Sequence, residues 1–144
     1  MKRTIVIIDG MGGGIGVQLI GKLREQLPGE GDTEILALGT NAVATERMVK
    51  AGAHRGATGE NAIRHTAPQA DFILGPIGIV LPNSMMGEIT PAMVDAVMAA
   101  SGERILLPLQ HDHFHLVGLE ALPLAKMVEK AVGLLRERLQ QIQI

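Results

Sequence analysis

Residues 4–16 read TIVIIDGMGGGIG, and this stretch decides the fold. Residues 4–8 form a continuous run dominated by β-branched residues, the mark of a strand buried on both faces. The run stops at Asp9-Gly10. Glycines then stand at 10, 12, 13, 14 and 16, and Val17, Leu19, Ile20, Leu23 and Leu27 follow at helical spacing. A buried strand, a glycine turn and a helix in that order open a βαβ unit.

Outward from there, the chain repeats the alternation. Residues 34–38 (EILAL) read as a second strand, and 41–51 as a helix stopped by Gly52. Thr58 is a candidate cap for a short helix running to His65. Residues 72–74 form a third strand ended by Gly75-Pro76. Thr90-Pro91 is a cap-then-proline helix start. Residues 105–109 form a fourth strand, which Pro108 assigns to an edge or a strand end. Residues 113–119 are a candidate fifth strand, and Pro123 opens a long last helix. Apolar strands alternating with helices predict an α/β, three-layer fold: a mostly parallel sheet with helices on both faces. The expected strand order at the core is 2-1-3-4, in one domain spanning residues 1–144.

Composition removes whole classes of chemistry. The chain has 144 residues, 47% hydrophobic and 19% charged, which argues against disorder. Without Cys there is no thiol nucleophile, iron–sulfur cluster or Cys-rich zinc site. Without Tyr there is no phenolic acid or base. The apolar run after Lys2-Arg3 is too short for a secretory signal. No stretch reaches the roughly 20 residues of a membrane span. A net charge of −2, no basic block and two Phe argue against nucleic-acid binding. The expectation is a cytoplasmic protein with a small-molecule ligand and no membrane or nucleic-acid partner.

The glycine loop does not fit G-x-G-x-x-G, because position 15 is Ile15. Gly10, Gly14 and Gly16 fit G-x-x-x-G-x-G instead, so the loop resembles that of the short-chain dehydrogenases. Bare backbone lets the chain approach a diphosphate, and the following helix offers N–H groups and a partial charge of about +0.5. A nucleotide, a dinucleotide or a phosphorylated metabolite is the expected ligand, held by Gly10, Gly12, Gly13, Gly14 and Gly16. A tight strand-to-helix turn is the plainer reading, but it needs one or two glycines rather than five. Asp9 stands where a small hydroxyl residue is usual, and its carboxylate repels a phosphate unless Mg²⁺ bridges them. Strand 2 ends in Gly39-Thr40-Asn41, where an acidic residue for a ribose would be expected. The missing Tyr excludes short-chain dehydrogenase catalysis.

Ligands of such sheets sit at the strand carboxyl ends, so loops 9–16, 39–45 and 75–90 should meet. Thr40, Asn41, Gly75, Pro76 and Gly78 are further binding candidates, and Asp9 and Glu88 are candidate catalytic carboxylates. Arg47 is either a phosphate partner or an ordinary exposed helix residue. His111, His113 and His115 would share one face of an extended chain, neighbours about 6.6 Å apart. That spacing makes them candidate ligands for a divalent metal, completed by Asp112 or Glu88. The alternative function is a metal-dependent hydrolase or lyase built on that cluster; another is a non-catalytic oligomeric module. Loop residues 79–86 and the helix end 139–144 are apolar, which predicts a homodimer or larger assembly.

Taken together, IVIIDGMGGGIG, ALGTNAVAT, ATGENA and GPIGIVLPNSMMGEITP resemble a small bacterial family known only as a domain of unknown function. The resemblance covers nearly the whole chain. It implies a Rossmann-like fold and supplies no reaction. Besides the glycine loop it includes Gly59, Glu60, Asn61, Gly87 and Glu88, and it departs at 111–115, which is not triply His in that pattern.

Overall fold

A computed structural model describes residues 2–27, 31–109 and 115–142. Strand β1 (Arg3–Asp9) lies at the centre of a five-stranded, all-parallel sheet. It is followed by helix α1 (Gly14–Gln26), β2 (Thr33–Gly39), α2 (Ala42–Lys50), β3 (Arg55–Thr58), α3 (Glu60–Thr66) and β4 (Phe72–Pro76). Helix α4 (Pro91–Ala99), β5 (Glu103–Leu107) and α5 (Leu124–Ile142) complete the order. The strands lie in the order β3-β2-β1-β4-β5. The four strands expected from the sequence stand in the expected order, 2-1-3-4, and the fold is α/β and Rossmann-like.

Two apolar layers sandwich the sheet. Ile5 and Ile7 face one way and pack with Leu19, Ile20 and Leu23 of α1, Met48 of α2 and Val132 and Leu135 of α5. Val6 and Ile8 face the other way, with Ile63 of α3 and Met93, Val94 and Val97 of α4. Burial of both faces of β1 is what its β-branched run encodes, since successive side chains alternate. Helices α1 and α2 join strands that step outward on one side of β1, and α3 and α4 belong to the opposite layer. The chain direction across the sheet therefore reverses between β1 and β4. Their carboxyl ends part at that point and leave a crevice.

Several local expectations are corrected. The fifth strand is Arg55–Thr58; of the expected 113–119, residues 113 and 114 lie outside the described residues and 115–119 form no strand. Thr58 does not cap α3 but ends β3, and Gly59 precedes the helix without a side-chain cap. Pro108 lies just past β5, at the sheet edge. Helix α4 starts as the sequence indicates, with Thr90 Oγ1 accepting from the Met93 N–H at 3.2 Å. The apolar loop after β4 is only partly available for subunit contacts, because Ile79 and Ile89 are fully buried in the α3–α4 layer. Leu139 likewise packs in the core rather than at a free helix end. No helix among the described residues is long and apolar enough to cross a membrane.

Candidate functional site

The glycine loop connects β1 to α1 at the crevice. Gly13 precedes the helix with φ of 74°, a left-handed conformation that glycine adopts without steric cost. The Gly13 N–H donates to the Gly10 carbonyl at 2.8 Å, closing a tight turn. A cavity of about 360 Å³ opens beside this turn, lined by Asp9, Gly10, Gly12, Gly13 and Gly14 on one wall. Pro76, Gly78, Met85, Leu109 and Leu124 contribute to the rest of its lining. It thus lies where β1 and β4 part.

Asp9 shapes the loop from inside. It is 3% exposed. Its Oδ1 accepts from the Gly10 N–H and its Oδ2 from the Gly16 N–H, both at 2.8 Å. The carboxylate thus sits in the first turn of α1, where unpaired N–H groups and the helix dipole favour a negative charge. Burial nevertheless pushes the Asp9 carboxyl above its ordinary pKa; the N–H bonds from Gly16, Gly10 and Ile15 oppose this, and the Glu88 charge adds to it. The consequence for a ligand is direct. The Gly10 and Gly16 N–H groups are already used, whereas those of Gly12 and Gly14 have no acceptor among the described residues.

Glu88 holds the loop from outside. Its Oε1 accepts from the Met11 N–H at 2.8 Å, from Asn41 Nδ2 at 2.9 Å and from the Thr40 hydroxyl. The Thr40 and Met11 bonds hold its carboxyl below the usual carboxylate range, burial opposes them, and the Asn41 bond adds to the lowering. Asn41 is the junction. Its Oδ1 caps α2 by accepting from the Ala44 N–H, while Nδ2 also donates to the Met11 carbonyl, each at 2.9 Å. One side chain therefore ties the glycine loop, the α2 N-terminus and the loop after β4 together. Arg47 donates to the Gly12 carbonyl, which places a guanidinium against the glycine loop.

The three loops expected to meet do meet, joined by the hydrogen bonds of Glu88 and Asn41. Gly10, Gly12, Gly13, Gly14, Pro76 and Gly78 line the cavity. Thr40 and Asn41 do not; they donate to Glu88. Gly75 is a packing residue, since a Cβ there would collide with the Ile8 carbonyl. Gly16 is also set by packing, facing Met48 and the Asp9 Cβ. Gly14 has open space around it.

His111 and His113 lie outside the described residues, as does Asp112, and His115 is exposed. Among the described residues no group of three His, Asp or Glu is placed to hold a metal ion. His54 accepts from the Ile35 N–H at 3.0 Å and so braces β2. Sequence reasoning missed the Asn41 cap, although Asn directly before an apolar helical pattern is a cap signal. It also missed the Met11 N–H as the partner of Glu88, for which no local signal exists.

A family model described as "Domain of unknown function (DUF3842)" matches residues 4–140. No curated protein matches the chain.

Proposed function

Since the chain belongs to that family of unknown function, we propose from the geometry that it binds a nucleotide or phosphorylated metabolite, with a phosphate on the glycine loop. The observation that carries this reading is the cavity at the β1–β4 parting, walled by bare glycine backbone, with the Gly12 and Gly14 N–H groups unclaimed. Its volume of about 360 Å³ falls within the range of small-molecule sites. The two free N–H donors are the complement of a phosphate oxygen pair. Asp9 acts here as a brace for the loop, both of its oxygens being engaged.

Calorimetry with pyrophosphate, glycerol 3-phosphate, ADP, GDP, CDP and UDP tests the reading. At least one should bind. Gly14→Val should weaken that binding by at least about tenfold, or ~1.4 kcal/mol, because a side chain there stands between the ligand and the loop. The fold should survive, since nothing lies within 4 Å of a Cβ at Gly14. Failure of every probe to bind the wild-type chain overturns the proposal.

A further inference from the structure

The end of β2 lacks the acidic residue that, in dinucleotide-binding sheets, accepts the hydroxyls of a ribose. It reads Gly39-Thr40-Asn41. The structure nevertheless puts a carboxylate there. Glu88 arrives from the loop after β4 and lies against Thr40, Asn41 and the Met11 N–H. Its Oε1 comes within 2.9 Å of where a Cβ on Gly10 would stand, so it borders the glycine loop directly.

All three protein donors converge on one oxygen. Oε2 has no donor among the described residues. An ionised carboxylate is acceptor-only. With Oε1 satisfied, what Glu88 offers a ligand is one free acceptor and a negative charge. A ligand group beside it must donate hydrogen bonds and must not be an anion.

The backbone supports a placed rather than incidental glutamate. Met85 and Met86 both have φ of 56°, a left-handed conformation that such side chains rarely adopt. The turn is closed on itself by N–H bonds from Gly87 to the Asn83 carbonyl and from Glu88 to the Met85 carbonyl. Strained backbone of this kind persists where the surroundings hold it, and it clusters at ligand sites.

We infer that Glu88 is the acceptor for a vicinal diol, so that the ligand class narrows to ribonucleotides or ribose phosphates without a 2′-phosphate. This rests on the phosphate reading of the glycine loop. The phosphate lies on Gly12 and Gly14, and the sugar lies on the Glu88 side of Gly10. The loop after β4 then takes part in recognition, because it alone carries the sugar's acceptor.

The test takes the tightest of the four ribonucleoside diphosphates and compares it by calorimetry with its 2′,3′-dideoxy and 2′-phosphorylated counterparts. The wild-type chain should bind the dideoxy form at least about tenfold more weakly, since a site built around a hydroxyl rejects the analogue lacking it. The 2′-phosphorylated form should be weaker still. In Glu88→Gln the preference for the ribo form should fall to within about twofold, because an amide nitrogen replaces the free acceptor. Equal binding of ribo and dideoxy forms to the wild type overturns the diol inference and leaves the phosphate reading standing. So does binding of pyrophosphate with neither a nucleotide nor glycerol 3-phosphate bound, or tighter binding of the 2′-phosphate. No binding by any probe overturns both. The wild-type comparison does not depend on the variant folding.

Discussion

Gly10→Ala should destabilise the protein by about 3 kcal/mol, and its cost should run through Glu88. A Cβ at position 10 would lie 2.8 Å from Met85 Sδ and 2.9 Å from Glu88 Oε1, with Thr40 Oγ1 nearer still. Met85 is flexible and can yield. Thr40 and Glu88 cannot yield separately, because they are hydrogen-bonded to each other. The substitution therefore expels the carboxylate and breaks its bonds from Met11, Thr40 and Asn41. Hydrogen bonds to a charged group contribute about 1.5–3 kcal/mol each when buried. Glu88 is only half-buried, so water recovers part of this, and about 2 kcal/mol in total is a fair figure. Residual overpacking adds about 1 kcal/mol. At roughly 3–4 °C per kcal/mol for a chain of this size, the melting temperature should fall by about 10 °C. Gly14→Ala is the control and should stay within about 0.5 kcal/mol, its site being open. Urea denaturation of Gly10→Ala, Glu88→Ala and the double variant measures the coupling. If both act on the same bonds, the double variant should cost at least about 1 kcal/mol less than the sum. Additive costs, or a Gly10→Ala as stable as Gly14→Ala, would refute the reasoning.

Gly75→Ala should cost about 3 kcal/mol or more by the same denaturation assay, because its Cβ meets the Ile8 carbonyl of the adjacent strand, which cannot move aside. The two site carboxyls should give opposite pH dependences in denaturation run between about pH 3 and 7. Asp9 has a pKa raised above 3.8, so its favourable contribution is complete below that value and is lost as pH rises through the raised one; Asp9→Asn should gain on the wild type over that window. Glu88 has a pKa lowered below 4.5, so its contribution is complete above 4.5 and is lost as pH falls through the lowered value; the wild type's advantage over Glu88→Gln should shrink there. With Ile79 and Leu139 buried, the expected self-association falls to the most exposed large apolar residues, Met86 and Val117, which are 90% and 97% exposed. Light scattering should then give twice 15.3 kDa for the wild type and 15.3 kDa for Val117→Asp, and a wild-type monomer across a dilution series would sink the expectation.

The sequence was most legible where burial is two-sided. The runs at 5–8, 35–38 and 72–74 are apolar on both faces, the pattern of central parallel strands. Strand β3 escaped because Arg55–Thr58 is exposed along its whole length. Its existence comes from backbone pairing with β2, which side-chain pattern does not record. Residues 116–119 misled for the converse reason. They are apolar, but Leu116, Val117 and Leu119 are exposed, so no sheet face claims them. Loop 75–90 was legible as unusual in length and composition. That Ile79 and Ile89 would anchor it in the core depends on where α3 and α4 lie, and local sequence does not carry that.

The same limit applies, more sharply, to the glycine loop. Five glycines in seven residues announce that backbone is exposed to something, but not which N–H groups remain for a ligand. That division is set by two carboxylates, one adjacent in sequence and one distant. Asp9 takes Gly10 and Gly16, and Glu88 takes Met11. Gly13 is turned inward on Gly10. Gly12 and Gly14 are left, two positions apart in sequence on the same turn. A full diphosphate cradle uses the whole helix end; two N–H groups suit one phosphate group and no more. The internal carboxylate also offsets the helix dipole that would otherwise add to anion affinity. Binding should therefore be tighter under acid conditions, where Asp9 is neutral and its repulsion is gone. A loop with this arrangement selects its ligand by what lies on either side of the phosphate: the apolar cavity toward β4 and the acceptor of Glu88 toward β2.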